Sequence, residues 1–244
     1  METAACAKGC AMTEYAANER LIFALDVSTA AEAKQWIVRL GDAVQFYKIG
    51  MELLTSGDYF EVLAALAAAG KKVFVDLKFH DVPATVGHAI RGMSRYPVEF
   101  CTIHAGQDAM LQAAAEAKGT MKVLAVTVLT SIDAQDLKAL GIQREPMAQV
   151  LDRAAAARRA GCDGVVASGL EARALRDAHA SPFLIVCPGI RPDGAGGDDQ
   201  KRTVGVAAAF AAGASHIVVG RPIRQAADPR QAALEMQSQI VKSI

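Results

Sequence analysis

Short runs of β-branched and other apolar residues alternate along the chain with longer Ala- and Leu-rich stretches. The short runs favour strands and the longer stretches favour helices. Strands are predicted at 21–26, 44–49, 73–78, 98–104, 122–128, 164–167, 183–187 and 216–219. Helices are predicted near 30–40, 58–69, 84–95, 107–118, 146–160, 170–179, 203–212 and 227–241. The pattern therefore predicts eight strand-then-helix units.

Repeated units of this kind predict a parallel sheet, and eight of them predict a closed (β/α)8 TIM barrel. Glycine follows five of the predicted helices, where it commonly ends a helix: Gly41, Gly70, Gly119, Gly161 and Gly213. An open doubly wound sheet would need a Gly-rich turn after its first strand, and 26–30 has none. No linker rich in Pro, Ser or charge interrupts the units. We therefore expect a single α/β domain at 20–244, preceded by an arm at 1–19 that could be helical.

Composition narrows the classes of function. Lys plus Arg and Asp plus Glu number 26 each, so no basic surface for nucleic acid or for an anionic membrane is predicted. No apolar run approaches the roughly 18 residues that a membrane span needs, and residues 1–19 lack the apolar segment of a signal peptide. The five cysteines are scattered and lack zinc spacing. These features predict a cytoplasmic protein without a metal site.

The stretch at 73–81, VFVDLKFHD, contains the first candidate chemistry. Alternation at period two predicts a strand with Asp76 and Lys78 on one face, close to its carboxyl end. Asp81 follows, and Pro83 suits the first turn of a helix. Two carboxylates and an ammonium thus converge just past a strand end, a costly cluster unless it is fully paired. A surface ion pair is the alternative interpretation.

Other polar residues fall at the ends of the remaining strands, where active sites of such barrels lie. In chain order these ends carry Asp26, Lys48, Asp76 with Lys78, His104, Thr130 with Ser131, Ser168, Pro188 and Gly220 with Arg221. Charges occur at the first, second, third and eighth strand ends, which favours one site over unrelated surface charges. His104 is interpreted as a polar residue beneath that site rather than as a catalytic one.

The eighth strand end predicts a phosphate site. Gly220 can expose a backbone N–H, and Arg221 can fork onto two phosphate oxygens. The alternative is an arginine that caps a neighbouring helix. The segment at 188–202 contains four glycines and no apolar periodicity, which predicts a lid in which Gln200 reaches over the ligand. A disordered surface loop is the other interpretation of this segment.

Seven motifs over about 20–240 resemble those of the orotidine 5′-monophosphate decarboxylase family. They are ALD at 24–26, YKIG at 47–50, DLKFHD at 76–81, VLTS at 128–131, PGIRP at 188–192, GDDQKR at 197–202 and VGRPI at 219–223. The chain departs from the family after Arg202, where a proline is usual within a few residues, and in its additional arm.

The resemblance implies cofactor-free decarboxylation of orotidine 5′-monophosphate to uridine 5′-monophosphate, the last step of pyrimidine nucleotide synthesis. It implies that Lys78 stabilises the carbanion and protonates C6, and that Asp76 holds Lys78 near the substrate carboxylate. Lys48 and Asp81 would complete an alternating network of charge. The implied substrate-binding residues are Asp26 and Lys48 for the ribose, Ser131 for the pyrimidine, Gln200, Gly220 and Arg221 for the phosphate, and also Pro188 and Thr85.

The family resemblance also implies a homodimer with shared active sites, because Asp81 and Thr85 would reach into the site of the other subunit. Two alternative functions stay open. Magnesium-dependent keto-gulonate-phosphate decarboxylases and hexulose-phosphate synthases share the Asp-x-Lys-x-x-Asp pattern, but carry an acidic metal ligand where this chain has Lys48. A non-catalytic barrel that binds a phosphate ligand would use Arg221, but would have no use for the Asp76, Lys78 and Asp81 cluster.

Overall fold

A computed structural model of the chain describes residues 15–191 and 203–244. Eight parallel strands form a closed barrel in which each strand pairs with the next and the last pairs with the first. The strands are β1 (Leu21–Ala24), β2 (Phe46–Gly50), β3 (Lys72–Phe79), β4 (Phe100–His104), β5 (Lys122–Val126), β6 (Gly164–Val166), β7 (Leu184–Cys187) and β8 (His216–Val219). The predicted (β/α)8 barrel is therefore confirmed.

Helices surround the barrel. They are α1 (Ala30–Leu40), α2 (Met51–Ser56), α3 (Tyr59–Ala68), α4 (Pro83–Met93), α5 (Asp108–Ala117), α6 (Ala134–Ala139), α7 (Pro146–Arg159), α8 (Ala172–Ala178), α9 (Val206–Ala211), α10 (Arg221–Arg224) and α11 (Pro229–Val241). Every predicted helix is present with ends within three residues of the prediction. The five glycines predicted to end helices all have φ between 52° and 99°, a backbone conformation that glycine adopts without a steric penalty.

Apolar side chains fill two layers, one between the strands and the helices and one inside the barrel. The interior layer is aromatic at its centre, where Phe46, Phe74 and Phe100 are all buried. The rings of Phe46 and Phe100 lie 4.9 Å apart between centroids. The amino-terminal half of the barrel is thus a packed core, and open space is left at the carboxyl ends of the strands.

Tyr15 covers the amino-terminal end of the barrel. Its side chain is buried, and its ring lies 4.6 Å from His216 and 5.6 Å from Phe100 between centroids. Its hydroxyl donates a hydrogen bond of 2.6 Å to Glu99. A single 3-10 turn (Ala17–Glu19) connects it to β1, and the rest of the predicted arm lies outside the described residues. The end of the arm is therefore part of the barrel core.

An irregularity in β3 interrupts the predicted alternation. Val75 pairs with Cys101 and Phe79 pairs with Ile103, so three residues of β3, at 76–78, lie opposite one residue of β4, Thr102. Within the described residues Lys78 is the one non-glycine residue with positive φ, at 52°. An extra segment of this kind is a β-bulge, which bends the strand and redirects its side chains.

The predicted start of α4 at Pro83 is confirmed, with the proline in the first turn.

None of the described helices is both long and apolar enough to cross a membrane.

Candidate active site

A cavity opens at the carboxyl ends of the strands, where the sequence predicts the site. It is lined by Ala24, Asp26, Lys48, Phe74, Asp76, Lys78, Val126, Val128, Leu129, Thr130, Ser131, Val166, Ala167, Pro188, Gly189, Arg191, Val218, Gly220, Arg221 and Arg224. All the polar strand ends singled out in the sequence contribute to it except His104 and Ser168.

Four charged side chains in the cavity form a chain of alternating sign. The Lys48 ammonium lies 3.0 Å from an oxygen of Asp26 and 3.4 Å from Asp76 Oδ2. The same Oδ2 atom lies 2.9 Å from the Lys78 ammonium. Lys48 and Asp76 have only 13% and 12% of their side chains exposed, so this network is largely withdrawn from water. The prediction that Asp76 and Lys78 lie on one face is confirmed.

Opposite charges keep the inner members of the network ionised. Burial opposes ionisation of Asp76, but the charges of Lys48 and Lys78 and the hydrogen bonds from Lys78 and Thr102 outweigh it, so its pKa lies below the usual value. Burial likewise opposes the Lys48 ammonium, yet Asp76 and Asp26 raise its pKa. At neutral pH the cavity therefore holds fixed cations beside a fixed carboxylate.

Thr102 connects the network to the barrel, and the sequence analysis missed it. The side chain is fully buried on β4, and its Oγ1 donates a hydrogen bond of 3.0 Å to Asp76 Oδ1. The same oxygen accepts a hydrogen bond of 3.0 Å from the Lys78 backbone N–H. A sequence signal did exist, because Thr102 occupies the same strand parity as the inward-facing Phe100.

Two further arginines bind backbone carbonyls in or beside the segments that line the cavity, and one of them, Arg224, lines it. Arg224 donates to the backbone carbonyl of Asp26, and Arg153 donates to the backbone carbonyl of Thr127. Arg224 follows Arg221 by three residues on α10, a spacing that places both on one helix face. That spacing was readable in the sequence, whereas the partner of Arg153 depends on tertiary packing.

The predicted phosphate-binding residues Gly220 and Arg221 both line the cavity, and Arg191 lines it with them. A bridge between Ile190 and Val204 brings the two sides of the long segment together, with the Arg191 N–H 3.0 Å from the Val204 carbonyl. The rest of the predicted lid, at 192–202 and including Gln200, lies outside the described residues.

The remaining wall of the cavity is mostly apolar, with a few polar side chains. Ser131 and Pro188, both predicted to contact substrate, line it together with Val126, Val128, Leu129, Val166 and Val218. Apolar walls with a few placed polar groups are typical of small-molecule sites.

Asp81 and Thr85 do not line the cavity formed by the described residues of one chain. Both are exposed, and one oxygen of Asp81 accepts a hydrogen bond of 2.6 Å from the Val82 N–H. Within the described part of one chain the alternating network therefore consists of Asp26, Lys48, Asp76 and Lys78, and Asp81 is not a member of it. The predicted action of Asp81 and Thr85 in a neighbouring subunit stays a prediction.

His104 also lies outside the cavity wall. Its ring centroid is 5.5 Å from that of His80, and burial, followed by the charges of His80 and Lys78, lowers its pKa. Among residues 15–191 and 203–244, no group of three or more His, Cys, Asp or Glu side chains is arranged to hold a metal ion.

Comparisons with known proteins agree on one family. A model of the family described as "Orotidine 5'-phosphate decarboxylase / HUMPS family" matches residues 19–236. A protein named orotidine 5'-phosphate decarboxylase from Xanthomonas euvesicatoria pv. vesicatoria (strain 85-10) is 62% identical over 226 residues, which cover 92% of this chain and 93% of that protein. One of the same name from Xanthomonas oryzae pv. oryzae (strain PXO99A) is 60% identical over 230 residues, or 94% and 95% of the two chains.

Solved structures give the same result. The crystal structure of orotidine 5'-phosphate decarboxylase from Lactobacillus acidophilus superposes with a TM-score of 0.80 at 35% identity. The match covers 91% of this chain and 99% of that one.

Proposed function

The chain belongs to the orotidine 5′-phosphate decarboxylase / HUMPS family, and from that premise we propose that it decarboxylates orotidine 5′-monophosphate to uridine 5′-monophosphate. The observation that carries the proposal is the alternating network of Asp26, Lys48, Asp76 and Lys78 inside the cavity. The reaction requires stabilisation of a carbanion at C6, and fixed cations in a site withdrawn from water supply it.

Lys78 is the proposed catalytic group. As the bond between C6 and the carboxylate breaks, its electron pair stays on C6 and CO2 leaves. The Lys78 ammonium stabilises that pair and then gives C6 a proton. Asp76 holds the ammonium at 2.9 Å, and its negative charge lies near the substrate carboxylate until CO2 departs.

The remaining groups of the nucleotide would be bound by other residues around the cavity. Asp26 and Lys48 are proposed to bind the ribose hydroxyls, Ser131 the pyrimidine, and Gly220 with Arg221 the phosphate. A Cβ atom at Gly220 would lie 3.3 Å from the Cβ of Ala24, so glycine at this position lets β8 end close to β1. Pro188 would contact the base or sugar from the β7 end.

Lys48 argues against the magnesium-dependent alternatives. Its ammonium lies between the carboxylates of Asp26 and Asp76 and neutralises the oxygens that a divalent cation would need as ligands. A barrel that only binds a phosphate ligand is not favoured either. Burying the network of Asp26, Lys48, Asp76 and Lys78 is costly, and binding a phosphate does not require it.

A homodimer with shared sites is part of the proposal. Asp81 and Thr85 are exposed at the start of α4. Large apolar side chains are also exposed on α2, α3 and around α4: Met51, Leu54, Phe60, Val82 and Tyr96. The rings of Phe60 and Tyr96 lie 5.2 Å apart between centroids. Exposed apolar groups beside the predicted shared residues support a subunit contact on this side.

The buried, unpaired thiols of Cys101, Cys162 and Cys187 support a reducing, cytoplasmic location.

The proposal is tested by incubating the purified protein with orotidine 5′-monophosphate after exhaustive EDTA treatment and following its absorbance and the release of CO2. We expect conversion to uridine 5′-monophosphate at a rate that added magnesium does not raise. Activity that appears only with magnesium, on a sugar phosphate, would assign the chain to the alternative group. Binding of the nucleotide without turnover would favour the non-catalytic barrel.

A further inference from the structure

The backbone of Lys78 adopts a conformation that lysine rarely uses. Its φ of 52° lies in the left-handed region, which costs a non-glycine residue roughly 1–2 kcal/mol. Such conformations persist only where the surrounding structure holds them. The proposed catalytic ammonium projects from this backbone, so the contacts that hold the conformation also hold the ammonium.

Thr102 supplies those contacts. It is the single residue of β4 opposite the three bulged residues at 76–78 of β3. Its Oγ1 accepts a hydrogen bond of 3.0 Å from the Lys78 backbone N–H, where a regular strand pair would offer a backbone carbonyl. The hydroxyl proton is then directed to Asp76 Oδ1, also at 3.0 Å. One buried hydroxyl thus fixes the backbone of the ammonium and the carboxylate that pairs with it.

The two hydrogen bonds have a definite direction. A hydroxyl has one proton to donate and can accept at its lone pairs, and the Lys78 N–H can only donate. The Thr102 proton is therefore free for the Asp76 carboxylate. The other oxygen of that carboxylate, Oδ2, forms ion pairs with the ammonium groups of Lys48 and Lys78. The carboxylate is held from both sides, and it cannot rotate towards Lys78 without breaking the bond to Thr102.

We propose that Thr102 is a positioning residue for the decarboxylation, which holds the β3 bulge so that Asp76 and Lys78 keep their mutual geometry as CO2 leaves. The inference rests on the proposed function. Thr102 does not line the cavity formed by the described residues, so it acts through the other two side chains and not on the substrate.

The matched pair of variants is Thr102→Val, which keeps the shape but removes the hydroxyl, and Thr102→Ser, which keeps the hydroxyl. Val leaves the Lys78 N–H without its acceptor and Asp76 without one donor, so we expect kcat to fall by about 10- to 100-fold. Ser should stay within about threefold of the unsubstituted protein. The affinity for uridine 5′-monophosphate, which lacks the reacting carboxylate, should change by less than about threefold in both variants.

The unsubstituted protein in the same assay separates the two proposals. If it does not decarboxylate orotidine 5′-monophosphate, the proposed function fails irrespective of Thr102. If it does, a Thr102→Val enzyme with kcat within about threefold of it would overturn the inference. Equal losses in Val and Ser, or a parallel loss of product affinity, would also overturn it, because they indicate general damage to the fold. Should the Val variant not fold, Thr102→Ala against Thr102→Ser makes the same comparison.

Discussion

Arg221 lines the cavity, and its proposed partner, the phosphate, is remote from the reacting carbon. Binding energy of that kind can organise a site for chemistry elsewhere. We expect Arg221→Ala to raise KM for orotidine 5′-monophosphate by more than about tenfold, since a lost charge-assisted contact costs over roughly 1.5 kcal/mol.

Arg159→Ala, at an exposed position on α7, is the matched control and should leave the kinetics of the enzyme unchanged. Steady-state kinetics of the two variants decide the assignment. A KM within about threefold of the unsubstituted protein would remove Arg221 from the phosphate site.

His216 is a second residue whose surroundings make a measurable prediction. It is buried, and neither ring nitrogen has a hydrogen-bond partner among the described residues. Burial, followed by the charges of Arg20 and Lys72, lowers its pKa to about 3. In the unfolded chain a histidine has a pKa of about 6.5, so the unfolded state binds more protons between these values.

Stability should therefore fall as the pH falls from about 6.5 towards 3, by up to about 1.4 kcal/mol per pH unit from this group alone. His216→Phe removes the titration and keeps a ring in the aromatic core. Urea unfolding is measured at about pH 7.5, 6.5, 5.5 and 4.5. The free energy of unfolding should fall less steeply with decreasing pH for the variant than for the unsubstituted protein. Equal slopes for the two proteins would show that His216 is accessible to protons in the folded state.

These residues illustrate what sequence can and cannot reveal about the site. Asp26, Lys48, Asp76 and Lys78 were predictable because strand ends in a parallel barrel converge. Thr102 was not found, because its role depends on the register between β3 and β4, which a bulge alters. Asp81 and Thr85 require a second subunit for their predicted roles, and alternation within one chain says nothing of that contact.

At the scale of elements, the eight repeated strands and helices were predicted, and three short additional helices were missed. All eight strands and eight of the helices follow from hydrophobic pattern and terminal glycines. The missed helices α2, α6 and α10 have four to six residues, a length that gives only a weak helical period. The helix α9 is equally short, with six residues, but it lies within the longer Ala-rich stretch at 203–212 that predicted it. The formation of these short helices depends on tertiary packing, as is general for helices of this length.

The described end of the arm is the element whose importance the sequence did not indicate. Tyr15 packs on the buried rings of His216 and Phe100, so Tyr15→Ala should destabilise the protein by about 3 kcal/mol. Tyr15→Phe keeps the ring and loses the hydroxyl's hydrogen bond to Glu99, which should cost about 1 kcal/mol.

Chemical denaturation of the two variants measures both effects. The kcat of each folded variant should stay close to that of the unsubstituted protein, because Tyr15 does not line the cavity. Equal and small effects of Ala and Phe would mean that residues 15–19 do not contribute to the core.

At the scale of the whole molecule, shared sites can be tested by mixing inactive chains. Lys78→Ala and Asp81→Ala homodimers should each be nearly inactive. In a heterodimer one site has both lesions, while the other combines an intact Lys78 with an intact Asp81 from the partner. Activity should return to about half of the unsubstituted value per heterodimer.

Subunit exchange is measured separately by mass spectrometry of chains that carry different tags. If heterodimers form and activity does not return, each site is built within one chain. That outcome would contradict the shared-site proposal while leaving the decarboxylase assignment in place.

The pairing of β1 with β8 also determines when the barrel can close during synthesis. Leu21 pairs with Ile217, and Arg224 binds the carbonyl of Asp26 across 198 positions of sequence. A ribosome must therefore release nearly the whole chain before the ring closes, and contacts of such long range are slow to form. Until then β1 and β8 are unpaired edges that invite association with other chains. The proposed nucleotide site includes Asp26, which follows β1, and Arg221, which follows β8. A nascent chain would therefore bind the proposed ligand only once its last strand is in place.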